Sequence, residues 1–181
     1  MRVITGTARG RKLQTLSGDD VRPTTDKVKE SLFSAIQFEV EGRGFLDLFA
    51  GSGQMGIEAL SRGAKSATFI DLRKDAVAVV RKNLETVGFE DRAQVRCTDS
   101  LMFLRSCQEK YGVAFVDPPY GKGLAEKALE LLPSVMNPAG VIVVETSDKE
   151  ELPEKAGDFT LDRTYRYGTI KVWTYRCPLE D

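Results

Sequence analysis

The sequence predicts an α/β fold, an open and mostly parallel seven-stranded sheet that closes on an antiparallel hairpin. Three observations predict it. Apolar runs of strand length alternate with helix-length segments from residue 45 to residue 145, which implies right-handed crossovers and a sheet covered on both faces. The run Phe45-Leu46-Asp47-Leu48-Phe49 passes through Ala50-Gly51-Ser52-Gly53 into a helical pattern, the order of a buried strand that opens a helix at a glycine turn. Phe159–Arg163 and Thr169–Arg176 then flank Tyr167-Gly168 with no helix between them, so the last two strands pair antiparallel.

Taken in order, Arg2-Val3-Ile4-Thr5 and Lys12-Leu13-Gln14-Thr15-Leu16 read as a small hairpin with Arg9 and Arg11 near its tip. A loop over Asp19–Thr25 follows, and Thr24 or Thr25 is placed to cap a helix. Val28, Leu32, Ile36 and Val40 give that helix one apolar stripe, and it is expected to end near Glu41-Gly42-Arg43-Gly44. Residues 1–43 thus form an N-terminal extension to a core of residues 44–181. Within the core, strand Phe45–Phe49 leads to helix Gln54–Arg62, and Ser66–Asp71 to Lys74–Thr86. Ala93–Cys97 leads to Ser100–Glu109, Val113–Asp117 to Leu124–Leu132, and Val141–Glu145 is the fifth parallel strand.

Composition narrows the chemistry. A chain of 181 residues with 41% hydrophobic and 29% charged side chains fits one soluble domain, and no apolar stretch is long enough for a membrane span. The cytoplasm is the expected location. Three cysteines without short spacing and no histidine do not easily supply the ligands of a zinc site and exclude histidine-based nucleophilic catalysis; no metal is expected. Residues 1–29 carry seven Lys or Arg against three acids, while the whole chain has a net charge of −1. A basic arm on an acidic body suits a polyanion approached from one side, although a solvated terminus has the same composition.

Gly51, Gly53 and Gly56, with Asp71 twenty residues after Gly51, also satisfy a dinucleotide fingerprint. Asp47 argues against that ligand, because a carboxylate beside a pyrophosphate repels it. An ammonium and a sulfonium would be attracted instead, and S-adenosylmethionine (SAM) carries both. Asp71, at its strand's C-terminal end, can accept from two ribose hydroxyls. Asp99, before Ser100, can accept from an adenine amino group or cap the following helix.

Ala114-Phe115-Val116-Asp117-Pro118-Pro119-Tyr120 is the most specific signal. Two prolines stiffen the loop and remove two N–H donors. Asp117 and the Pro118 carbonyl can then accept the two hydrogens of an exocyclic amine, and Tyr120 can stack on the base. A Pro-Pro loop after a strand is the alternative for this motif alone.

The Asp47–Gly53 and Asp117–Tyr120 motifs are similar to those of amino-methyltransferases. With Ile4-Thr5-Gly6, Arg9-Gly10-Arg11-Lys12-Leu13, Arg22-Pro23-Thr24 and Lys29-Glu30-Ser31-Leu32-Phe33, the chain resembles the RsmD family of bacterial 16S rRNA (guanine-N2) methyltransferases over nearly its whole length. The resemblance implies a Rossmann-like class I SAM-dependent methyltransferase fold, with SAM as donor and S-adenosylhomocysteine as product. It also implies the N2 of one small-subunit guanine as acceptor, in an assembled or assembling 30S subunit. The expected catalytic residues are Asp117, Pro118, Pro119 and Tyr120. Asp47, Phe49, Gly51, Ser52, Gly53, Asp71, Leu72, Asp99 and Ser100 are expected to hold the cofactor. Arg9, Arg11, Lys12 and Arg22 are expected to meet RNA phosphates, and the enzyme is expected to be a monomer. A DNA amino-methyltransferase, an NAD-dependent oxidoreductase and a non-enzymatic RNA-binding protein are the competing readings.

Overall fold

Every parallel strand of the computed structural model ends on the same edge of one sheet, and that edge carries the candidate site. The structure describes residues 1–17 and 25–178; Arg22, Pro23 and Thr24 lie outside them. The strands are β1 (Gly44–Leu48), β2 (Ser66–Asp71), β3 (Ala93–Cys97), β4 (Tyr111–Val116), β5 (Met136–Ser147), β6 (Lys155–Ala156), β7 (Phe159–Tyr167) and β8 (Ile170–Arg176). The helices are α1 (Asp26–Ala35), α2 (Gln54–Ser61), α3 (Lys74–Val87), α4 (Ser100–Ser106) and α5 (Leu124–Leu131).

The sheet order is β3-β2-β1-β4-β5-β8-β7-β6. The first five strands are parallel and β8 joins β5 antiparallel. All seven expected strands are present, and the two-residue β6 extends the edge beside β7. Leu32 and Phe33 of α1, Ile57 and Leu60 of α2, and Val80 and Leu84 of α3 cover one face. Phe103 and Leu104 of α4 with Ala128 and Leu129 of α5 cover the other.

Two expectations for the N-terminal region change. The hairpin forms as a single antiparallel bridge, Arg2 to Lys12, rather than as two strands. Val3 N and Leu13 N donate across it to the Arg11 and Met1 carbonyls, both at 2.9 Å, while Ile4 N and Thr5 N donate to the two oxygens of Glu58 at 2.8 and 3.1 Å, and Ala8 N donates to Ser61 Oγ at 2.9 Å. The first helix is capped by Thr25, whose hydroxyl accepts from Val28 N, but it stops at Ala35. The stripe survives, with Ile36 and Val40 buried. Beyond the helix Glu39 instead takes a bidentate contact from Arg176 of β8, at 2.7 and 2.8 Å. Similarly, α4 ends at Ser106 rather than Glu109.

Candidate active site

The turn after β1 is shaped by its backbone. Phe49 has φ 61, and Gly51 and Gly53 have φ 58 and 80; a non-glycine residue in that region stores on the order of 1–3 kcal/mol of strain. Gly56 answers a different need. It is helical, and a Cβ there would stand 2.3 Å from a ring carbon of Phe69 on β2. Ser52 and Gly51 are half-buried and Gly53 is buried.

Asp47 is fully buried and its Oδ2 accepts from Gly56 N at 2.9 Å. Gly53, at the N-cap of α2, has no side chain to satisfy that turn, so Asp47 supplies the missing acceptor from the neighbouring strand. Burial pushes its carboxyl up to about 8, against the opposing effect of the Gly56 N–H, with Asp71 raising it further. Asp47 is therefore a buried acid whose neutral form is favoured by desolvation. Asp71 holds the turn from β2, accepting from Gly51 N and Arg73 N, both at 2.9 Å. Each of its oxygens retains a second lone pair for a ligand hydroxyl. Leu72 follows as an apolar side chain 66% exposed. Asp99 caps α4, accepting from Met102 N at 2.9 Å, and Ser100 is buried behind it.

Asp117 follows β4 directly. It is half-buried, and desolvation, then Glu145, then Asp47 drive its carboxyl well above the usual carboxylate range. Pro118 is buried and Pro119 exposed. Tyr120 donates its hydroxyl to Glu145 Oε1 at 3.3 Å. Gly121 N donates to Glu150 Oε1, and Glu150 Oε2 accepts from Ser147 N, at 3.2 and 3.1 Å. The diproline loop is thus braced to β5 and the turn after it.

Glu145 is the residue that sequence reasoning missed. It ends the apolar run Val141-Ile142-Val143-Val144 as Asp117 ends its own, a signal that was available. Asp47 pairs in register with Phe115, and Phe115 with Val143. Glu145 lies two residues further along β5 and Asp117 just past the end of β4 in the same alternation, so the pleat directs all three acids to one face. Glu145 is 3% exposed, and burial pushes it up to about 7, against the opposing Tyr120 hydrogen bond.

The tip of the hairpin is not brought to this edge. The hairpin tip, with Arg9, rests on Ser61 at the far end of α2 through Thr7 N and Ala8 N, about 12 Å along the helix axis from the glycine turn. Arg9, Arg11 and Lys12 are all exposed, and Arg11 also donates to the Thr86 carbonyl on α3. The open end of the hairpin does reach the turn: Asn83 Nδ2 donates to both the Gln14 and Ser52 carbonyls, at 3.0 and 2.9 Å.

This sheet order, with a glycine turn after β1 and acids along the C-terminal edge, defines a Rossmann-like class I methyltransferase fold. A family model described as Conserved hypothetical protein 95 matches residues 1–176. The Bacillus subtilis protein YlbH is 40% identical, over 97% of this chain and 98% of its own. A Haemophilus influenzae protein named Ribosomal RNA small subunit methyltransferase D is 41% identical over 97% of this chain and 93% of its own. The solved structure of Escherichia coli yhhF aligns with a TM-score of 0.88 at 35% identity, covering 98% and 97% of the two chains. The chain belongs to this family, the RsmD family.

Proposed function

We propose that the protein is an rRNA methyltransferase that moves a methyl group from SAM to the exocyclic N2 of a guanine in 16S rRNA, acting as a monomer on an assembled or assembling small subunit. The names of its full-length relatives support the rRNA class. The observation that carries the chemistry is Asp117-Pro118-Pro119-Tyr120 on the same sheet edge as the glycine turn and three convergent acids.

The residues present fit SAM. The deep acids suit a ligand bearing positive charge, Asp71 keeps lone pairs for ribose hydroxyls, and exposed Leu72 offers an apolar plate for a purine. Bound there, SAM supplies an electrophilic methyl on a sulfonium. Gly51, Ser52 and Gly53 let the backbone approach it, while Phe49, Asp99 and Ser100 wall the same edge. Asp117 and the Pro118 carbonyl take the two N–H bonds of the guanine amine, which fixes the nitrogen and turns its lone pair toward the cofactor side. Pro119 keeps the loop stiff, and Tyr120 stacks on the base. After transfer Asp117 stabilises the cationic amine and accepts its proton. No histidine is needed.

Guanine N2 must be unpaired or flipped out to reach this loop, at a cost of a few kcal/mol. Residues 1–43 serve as the RNA-binding extension, where Arg9, Lys12, Arg11 and Arg22 offset that cost by neutralising phosphates. From the position of the hairpin tip, Arg9 would meet phosphates remote from the reacting base. The test incubates the protein with labelled SAM and small subunits from cells lacking the activity, then maps the mark. Label on N2 of one guanine is expected; label elsewhere, or none, would overturn the reading.

A further inference from the structure

Glu145 has a role that the diproline motif does not describe. Its side chain is 3% exposed, Oε1 accepts from the Tyr120 hydroxyl at 3.3 Å, and Oε2 is buried with no hydrogen-bond partner among the described residues. A buried carboxyl oxygen without a partner costs free energy unless a proton or a ligand satisfies it. Val116 of β4 pairs with Val144 of β5, so Asp117, the first residue past β4, leaves the sheet next to Glu145 of β5, and the charge of Glu145 acts on the Asp117 carboxyl. Among the described residues, the groups facing this pair are Asp47 from β1 and the Tyr120 hydroxyl from the loop. From β8 the registered neighbour of Glu145 is the apolar Val172, and Lys171 is turned onto the Trp173 ring, 3.8 Å from its centroid. No cation among these neutralises the pair.

Resting on the reading above, we propose that Glu145 is a positioning residue for methyl transfer: it anchors the Tyr120 hydroxyl, and its second oxygen shares one proton with the Asp117 carboxyl, which becomes a full acceptor only when that proton leaves. The step balances as an acid–base exchange. A cation entering the crevice favours the ionised pair, the O–H bond between the carboxyls breaks, and the proton passes to solvent. Ligand charge is thereby coupled to the readiness of Asp117.

Two measurements test this. The first is calorimetric titration of the intact protein and its Asp47→Asn variant with SAM and with S-adenosylhomocysteine at pH 7, in buffers of different ionisation enthalpy. In Asp47→Asn, where position 47 cannot contribute a proton, SAM is expected to release about one proton more per site than S-adenosylhomocysteine, whose sulfur carries no charge, and equal release from both in that variant would overturn the proposal. Failure of SAM to bind at all would overturn both the functional reading and this inference. The second is the pH profile of single-turnover transfer by Glu145→Gln, whose amide still accepts from Tyr120 but removes the shared proton and charge. Its ascending limb is expected to move at least one pH unit toward acid, because Asp117 loses a like-charged neighbour. A limb that stays in place while only the plateau falls indicates mere structural support, and the proposal fails. Loss of transfer by Asp117→Ala tests the functional reading alone.

Discussion

Gly56 and Asp117 represent two kinds of constraint on a single residue. At Gly56 the constraint is space, since an added methyl would stand 2.3 Å from the Phe69 ring. Gly56→Ala is expected to cost about 1–3 kcal/mol, the usual penalty for overpacking, as a lower urea midpoint with an unchanged slope. An unchanged midpoint would mean that α2 and β2 do not approach so closely in solution. At Asp117 the constraint is chemical. Asp117→Ala is expected to slow single-turnover transfer by on the order of 10²–10⁴, the range for losing a positioned acid or base, while SAM still binds. Tyr120→Ala removes a stacking surface worth about 1–3 kcal/mol and is expected to act mainly on substrate affinity. Full-speed transfer by Asp117→Ala would end the proposed mechanism.

At the scale of elements, the N-terminal arm is held to α2 by two side chains, Ser61 and Glu58. Glu58, fully buried, accepts from Ile4 N and Thr5 N and pairs with Lys29 of α1 at 3.6 Å and Arg62 at 3.1 Å. Burial lowers the pKa of Lys29, and Glu58 opposes that shift. Glu58→Gln leaves the Lys29 ammonium buried without its counter-ion, an unbalanced charge that costs about 3–5 kcal/mol. The amides of residues 4–8 are expected to exchange faster in that variant than those of β4, and equal protection would show that the arm is fastened elsewhere. Such ties explain what the sequence conceals. Strand and helix order could be read because periodicity is local, and the acid within Phe45–Phe49 and the diproline loop stood out against apolar surroundings. The early end of α1 could not be read, since Glu39 meets an arginine 137 positions away. Neither could the shortening of the hairpin to one bridge, since Glu58 of another element captures the Ile4 and Thr5 amides. Glu145 was visible as a strand-end acid, but its bond to Tyr120 depends on β5 lying beside β4.

Across the whole molecule, the sheet order gathers Asp47, Asp117 and Glu145 at one edge, and the ligand-free protein bears the cost of holding them there. Burial raises the Asp47 carboxyl from its ordinary 3.8 to about 8 in the folded protein. The folded state therefore binds more protons than the unfolded chain between those values, so stability falls as pH rises. The contribution is fully present below about pH 4 and is lost as pH approaches 8. Glu145, raised to about 7, and Asp117 act in the same direction, which is opposite to ordinary acid denaturation. The melting temperature of the ligand-free protein is thus expected to drop between pH 5 and pH 8. Asp47→Asn keeps an acceptor for Gly56 N but cannot ionise, so it should match the wild type at pH 5 and melt higher at pH 8. A variant that melts lower by the same amount at both values would show that Asp47 contributes only its hydrogen bond. SAM should narrow the gap at pH 8, because a bound cation stabilises the ionised acids that the empty crevice disfavours. The edge that costs the free protein stability is, on this account, the same edge that selects a positively charged donor.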